Sequence, residues 1–247
     1  MNLNMQTNNP AFSEAISRNF DYAGTRTMTI QGTAIKAMVL LAIVMSTAAY
    51  AWVQSDRGEL GQGVLVGSLI GALVAAVITM FKPTWAMWTA PVYSACEGVF
   101  LGLFSRWAET RYPGIATQAV ALTGGVTFLM LFAYVTGLVK VTGQLRTGIM
   151  AATGAIALLY LVSIVMSLFG SQIPFIFGSS PIGIAFSVFV VGLAAFNLLL
   201  DFDFIDRGSQ AGLSKSMEWY GAFALMVTLI WMYMEIVRLL MKLNDRR

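Results

Sequence analysis

Apolar and polar positions alternate along this chain in long blocks. After a polar stretch over residues 1–32, seven apolar runs follow, at about 33–53, 62–81, 85–105, 116–139, 148–169, 182–202 and 217–243. Each is long enough for a helix of ~17–25 residues to cross the ~30 Å of hydrocarbon at ~1.5 Å per residue. The pattern predicts an all-α integral membrane protein with seven transmembrane helices behind an N-terminal arm. The arm has no apolar run of its own, so it is not read as a signal peptide. It is expected to be a cytoplasmic segment, partly ordered around Phe20, Tyr22 and a turn at 25–29. The two domains are therefore the arm, 1–32, and the helical domain, 33–247.

The runs differ in character. The second carries Gly63, Gly67 and Gly71 at four-residue spacing, a pattern that lets a neighbouring backbone approach closely. The third holds Pro91 and Glu97, so a kink or break is expected there. Arg106, Glu109 and Arg111 are assigned to the loop after it. The connection 170–181 has no charge but two Pro and two Gly, and is expected to lie at the interface or fold back into the protein.

Composition narrows the function. Hydrophobic residues make up 57% and charged residues 11% of the chain, against about 25% charged in a soluble domain. One cysteine, Cys96, excludes an intrachain disulfide. The absence of histidine removes the usual pH switch and the commonest transition-metal ligand. No phosphate-binding loop, nucleophile elbow or zinc-protease motif occurs. An enzyme is not expected, nor is nucleic-acid binding, and no cofactor is implied.

Lysine and arginine fix an orientation. With the N-terminus inside, the inner segments hold Arg18, Arg26, Lys36, Lys82, Lys140, Arg146, Arg207 and Lys215, and the outer loops only Arg57, Arg106 and Arg111. The C-terminal Arg238, Lys242, Arg246 and Arg247 run against this bias. Seven crossings are preferred to six with a re-entrant segment.

The acids carry the candidate chemistry. An ionised side chain at a helix centre in hydrocarbon costs ~2.5–3.5 kcal/mol on insertion scales. Three aspartates, Asp201, Asp203 and Asp206, arrive together at 197–207, NLLLDFDFIDR, where the sixth run ends. Asn197 precedes Asp201 by one helical turn, which suggests a polar stripe facing inward. The bland alternative is a solvated helix end beside Arg207. Glu97 falls ~18 Å into its span, near mid-depth. It is either a neutral acid bonded to a backbone carbonyl or a partner reaching Asp201 through a shared cavity. Glu235 lies ~25 Å along the seventh span, near the opposite face from Asp201. Its expected partner is Arg238, in a snorkelling pair, and Glu218 is expected to make an interfacial pair with Lys215.

Four stretches together resemble one family. They are NFDYAGTRTMTIQGT at 19–33, APVYSACEGVFLG at 90–102, NLLLDFDFID at 197–206 and MEWYGAFALMVTLIWMYMEIVRLL at 217–240. The chain resembles the Bax inhibitor (transmembrane Bax-inhibitor-motif) family, in its bacterial YccA-like branch. The resemblance implies seven helices with the last one central, in a bacterial inner membrane. It also implies a pH-sensitive calcium leak gated by two aspartates on the sixth and seventh helices. The first aspartate matches Asp201. The second falls on Thr228, counted from Arg238, and a threonine cannot share a titrating proton. Glu97 is the expected substitute and Asp203 the second choice. The ion or proton site is thus expected at Asp201, Asp203, Glu97, Asn197 and Thr228. Asp201 is the candidate calcium ligand, and Glu235, Arg238 and Asp206 are secondary. The leading expectation is a cation leak channel, calcium foremost. The alternative is a non-transporting regulator that binds other membrane proteins, such as a quality-control protease, and a proton-coupled exchanger is a third reading.

Overall fold

A computed structural model describes residues 27–170 and 178–246. The N-terminal arm up to residue 26, with Phe20 and Tyr22, lies outside the described residues, as do most of the connection 170–181 and Arg247. The described residues form seven α-helices: α1 (Ile30–Asp56), α2 (Gln62–Phe81), α3 (Ala86–Arg111), α4 (Ile115–Val135), α5 (Gly143–Leu168), α6 (Pro181–Gln210) and α7 (Met217–Asn244). A short 3-10 turn, Pro83–Trp85, joins α2 to α3. Six of the helices are long and apolar enough to cross a membrane. The exception is α3, which matches them in length but carries Pro91 and Glu97 among its apolar residues.

Local chemistry sets the helix ends. Thr29 caps α1 by accepting from the Gly32 amide at 2.9 Å. Thr142 caps α5 the same way through Leu145, so that helix starts five residues before the apolar run expected at 148. At the start of α6, Ser180 accepts from Gly183 and Pro181 occupies the first turn. Glu109 stays on α3 rather than in a loop, as do Arg106 and Arg111. Its carboxylate accepts from the Gly114 amide at 2.6 Å and the Ala116 amide at 3.0 Å, satisfying free N–H groups at the start of α4. Gly114 takes φ 88°, which a side chain would resist. Pro91 sits inside a helix that runs unbroken from Ala86 to Arg111, where a kink or break was expected.

The helices run up and down, and contacts at the two ends show it. At one end Thr27 bridges Ser214, Arg146 meets Asp203, and Tyr134 meets Asp206. At the other, Arg106 meets Asp56, Tyr112 and Ser179 meet Asp245, and Lys242 meets Gly183. Helix α7 packs against α1, α3, α4 and α6, whereas α5 packs chiefly on α6. The tightest approach is between α1 and α3. A Cβ added at Gly98 would lie 2.5 Å from the Val44 carbonyl oxygen, and one at Gly102 would lie 2.9 Å from the Ala48 Cα. This corrects the expectation drawn from Gly63, Gly67 and Gly71. Nothing approaches Gly63 or Gly67, and only Gly71 has a close neighbour, the Cys96 Sγ. The spacing on α2 is real, but its first two glycines face away from the other helices.

Candidate functional site

The acidic end of the sixth apolar run is helical throughout, because α6 continues past Phe202 to Gln210. Successive residues of a helix point about 100° apart, so the three aspartates go to three different places. Asp203 turns toward α5 and is buried between two guanidinium groups, Arg146 and Arg207, with Arg207 Nε at 2.9 Å. Asp206 accepts from the Tyr134 hydroxyl at 3.2 Å and from Gln210 at 3.0 Å. Both are held by their neighbours. The reading of a helix end tied to Arg207 therefore fits Asp203, although Asp203 is buried rather than solvated.

Asp201 faces the other way. It lines a cavity of about 420 Å³ whose polar residues come from three helices. Tyr93 and Glu97, one turn apart on α3, share its wall with Thr228 and Tyr220 of α7. The remaining lining is apolar: Leu69, Leu73, Ala76 and Met80 from α2, and Phe223, Ala224 and Val227 from α7. The cavity thus brings together Glu97, Asp201 and Thr228. The Tyr93 side chain lies beside Glu97, and that of Thr228 beside Asp201. Thr228 Oγ1 also donates to the Ala224 carbonyl at 3.3 Å. Asp201 Oδ2 is buried with no hydrogen-bond partner. Among the described residues neither Glu97 nor Asp201 forms an ion pair. The Tyr93 ring packs edge-on against Phe223, with centroids 5.0 Å apart, which fixes the cavity wall.

Other expected site residues lie elsewhere. Asn197 does not join Asp201 in one polar stripe. Its amide donates to Thr153 of α5 at 2.8 Å and to the Leu193 carbonyl at 2.9 Å. Glu235 does pair with Arg238, at 2.8 Å, but it does not snorkel. It is 1% exposed, and its Oε1 also accepts from the Tyr160 hydroxyl at 2.8 Å. Buried Lys242, on the same helix, donates to the Gly183 carbonyl and Ser187.

Glu218 does pair with Lys215, as expected, but the rest of its surroundings was not foreseen. It is fully buried rather than interfacial, and it accepts from Lys36, from the Thr29 amide at 3.0 Å and from the Thr29 hydroxyl at 2.9 Å. Lys215 adds a fourth contact at 3.5 Å. Only the position of Lys36 at the entry of the first apolar run pointed to this cluster. Tyr93 was also passed over, though its place four residues before Glu97 puts both side chains on one helix face.

Among the described residues, no group of three or more Asp, Glu, Cys or His side chains is placed to hold a metal ion. No curated protein and no solved structure matches the chain. A family model does, over residues 9–245, under the description Bax inhibitor 1 like.

Proposed function

The chain belongs to the Bax inhibitor 1 like family, and on that premise we propose that it is a leak pathway for cations, calcium foremost, controlled by protons on Asp201 and Glu97. The family is non-catalytic and the chain is not an enzyme. The observation that carries the proposal is the cavity in which Asp201, Glu97 and Thr228 meet without any cationic partner. A carboxyl in apolar surroundings with no cation beside it ionises at a cost. Either a proton or a passing cation relieves that cost, and a hard divalent ion suits carboxylate oxygens.

The hydroxyl groups beside the acids suit them to both protonation states. A threonine or tyrosine O–H donates to a carboxylate and accepts from a neutral carboxyl. When Asp201 carries a proton, it donates to Thr228, whose own hydrogen goes to Ala224. When Asp201 loses it, Thr228 swings its hydrogen toward the carboxylate. Tyr93 serves Glu97 in the same way. Thr228 is therefore the hydroxyl neighbour of the Asp201 carboxyl, and Glu97 supplies the second titrating group in place of a seventh-helix aspartate. Asp203, locked between two arginines, takes no part.

The finer placement belongs to the same reading. We take α3 as the seventh crossing, because it spans the same two ends as its neighbours, and α7 as the central helix, because it packs on four others. The N-terminus lies in the cytoplasm of a bacterial cell whose inner membrane holds the protein, as the YccA-like motifs suggest. Two of the four C-terminal basic residues that run against this orientation are engaged within the protein. Arg238 is bonded to Glu235 and Tyr160, and Lys242 is buried, so neither acts as a free topological charge.

The test is calcium entry into liposomes that hold the purified protein, compared with empty liposomes and with Glu97→Gln. Entry that depends on pH in the native protein and loses that dependence in Glu97→Gln supports the reading. An unchanged pH response in the variant sinks the substitution of Glu97 for the missing aspartate.

A further inference from the structure

We propose that the Glu97–Asp201 cavity also receives an organic ammonium from the lipid, its nitrogen between the two carboxyls and its hydrocarbon along α2. The mouth of the cavity gives the route. Leu73 and Met80 of α2, on its rim, are 64% and 62% exposed, and Leu69 is also open. Helix α2 carries no charge over its whole length. These are side chains that face hydrocarbon, so the cavity opens sideways into the membrane. This lateral side suits a lipid-soluble amine, whereas a hydrated ion would have to reach the same carboxyls from a membrane face.

The floor gives the chemistry. The three fully buried acids each have a cation of the protein: Asp203 has Arg146 and Arg207, Glu218 has Lys36, and Glu235 has Arg238. Glu97 and Asp201 have none, and Asp201 Oδ2 lacks even a hydrogen-bond donor. An ammonium at the acidic floor supplies the cation that both carboxyls lack, through a charge-assisted bond. An acyl chain from an ordinary lipid would supply none. Tyr93, Tyr220 and Phe223 surround the same space, and aromatic faces attract an ammonium. Charge balances without importing any: a neutral amine arrives through the lipid, takes the proton of one carboxyl, and stays beside the carboxylate it leaves. The volume of about 420 Å³ is within the range of small-molecule sites.

The inference shares its carboxyls with the leak reading but does not depend on ion flow. The experiment uses the purified protein in phosphatidylcholine nanodiscs and tritiated dodecylamine, with unlabelled dodecylamine and dodecanol as competitors. We expect saturable binding above empty nanodiscs, displaced by dodecylamine and poorly by dodecanol. Affinity should fall roughly tenfold or more in the Glu97→Gln, Asp201→Asn double variant, which removes both charge-assisted partners. Leu73→Trp, a change at the exposed rim away from both carboxyls, should also weaken binding by narrowing the mouth. It keeps the test valid if the double variant fails to fold. Binding no greater than in empty nanodiscs, equal displacement by dodecanol, or full affinity in Leu73→Trp would overturn the proposal. Calcium entry measured on the same preparations separates the two readings. Amine binding without calcium entry removes only the leak, and calcium entry without amine binding removes only the ammonium site.

Discussion

Substituting Gly98 with alanine tests the α1–α3 contact, on which the position of Glu97 depends. The new Cβ would stand 2.5 Å from the Val44 carbonyl oxygen and 3.0 Å from the Val44 Cα, and it would overlap the Thr47 hydroxyl. Ordinary contact for a Cβ begins at 3.4 Å, so the carbonyl must retreat by about 0.9 Å. The Thr47 side chain can rotate away, but the Val44 backbone moves only if α1 moves. Overpacking of this kind costs about 1–3 kcal/mol. Replacing glycine by alanine inside a helix returns about 0.5–1 kcal/mol. The net loss is about 0.5–2 kcal/mol, which for a chain of this length lowers the melting temperature by about 1–8 °C. Gly67→Ala makes the matched control, since nothing lies within 4 Å of its added Cβ. It should gain the helix term alone and melt slightly higher. The sole cysteine, Cys96, provides the assay. It is half-buried on α3 against Gly71 of α2, and a thiol-reactive fluorophore reports its exposure on heating in detergent. Gly98→Ala melting at or above the native protein would refute the close approach of the two helices.

Three further outcomes follow from the same geometry. Lys36→Met leaves the buried Glu218 carboxylate with Lys215 at 3.5 Å and Thr29, so the loss should sit near the lower end of the broken-pair range, about 3 kcal/mol; melting of the variant checks it. Asp56→Asn, by contrast, removes a pair whose side chains are 31% and 42% exposed, and should cost less than about 1 kcal/mol in the same assay. Thr228→Asp puts a second carboxyl directly beside Asp201, and calcium entry should then change more steeply between pH 6 and pH 8 than in the native protein; an identical profile would detach Thr228 from the gating site.

The seven helices of the described residues were legible because water and hydrocarbon sort side chains over twenty-residue blocks, and α2, α4 and α7 fall close to the apolar runs that mark them. The ends of α3 and α6 were not, because charged residues can continue a helix beyond the apolar block. Arg106 through Arg111 do so on α3, and Asp203 through Gln210 on α6. Depth along the helices brought Glu97 to the level of Thr228 and correctly separated Glu235 from Asp201. It could not show rotation about the axis. That is why Asn197, one turn from Asp201, bonds to α5 instead, and why the glycines of α2 were mistaken for the contact made by Gly98 and Gly102. The burial of Glu218 rests on Lys36, 182 residues away, and no local pattern reveals such a partner. Nor does sequence distinguish a snorkelling Glu235 from one buried under Tyr160.

The most direct measurement of the central claim is calcium entry into liposomes at pH 6 and pH 8, with the native protein and Asp201→Asn side by side. The cavity arrangement predicts entry above empty liposomes that differs between the two pH values, and an Asp201→Asn variant whose entry no longer follows pH in the same way. No entry above empty liposomes at either pH, or a variant that behaves as the native protein does, would contradict it.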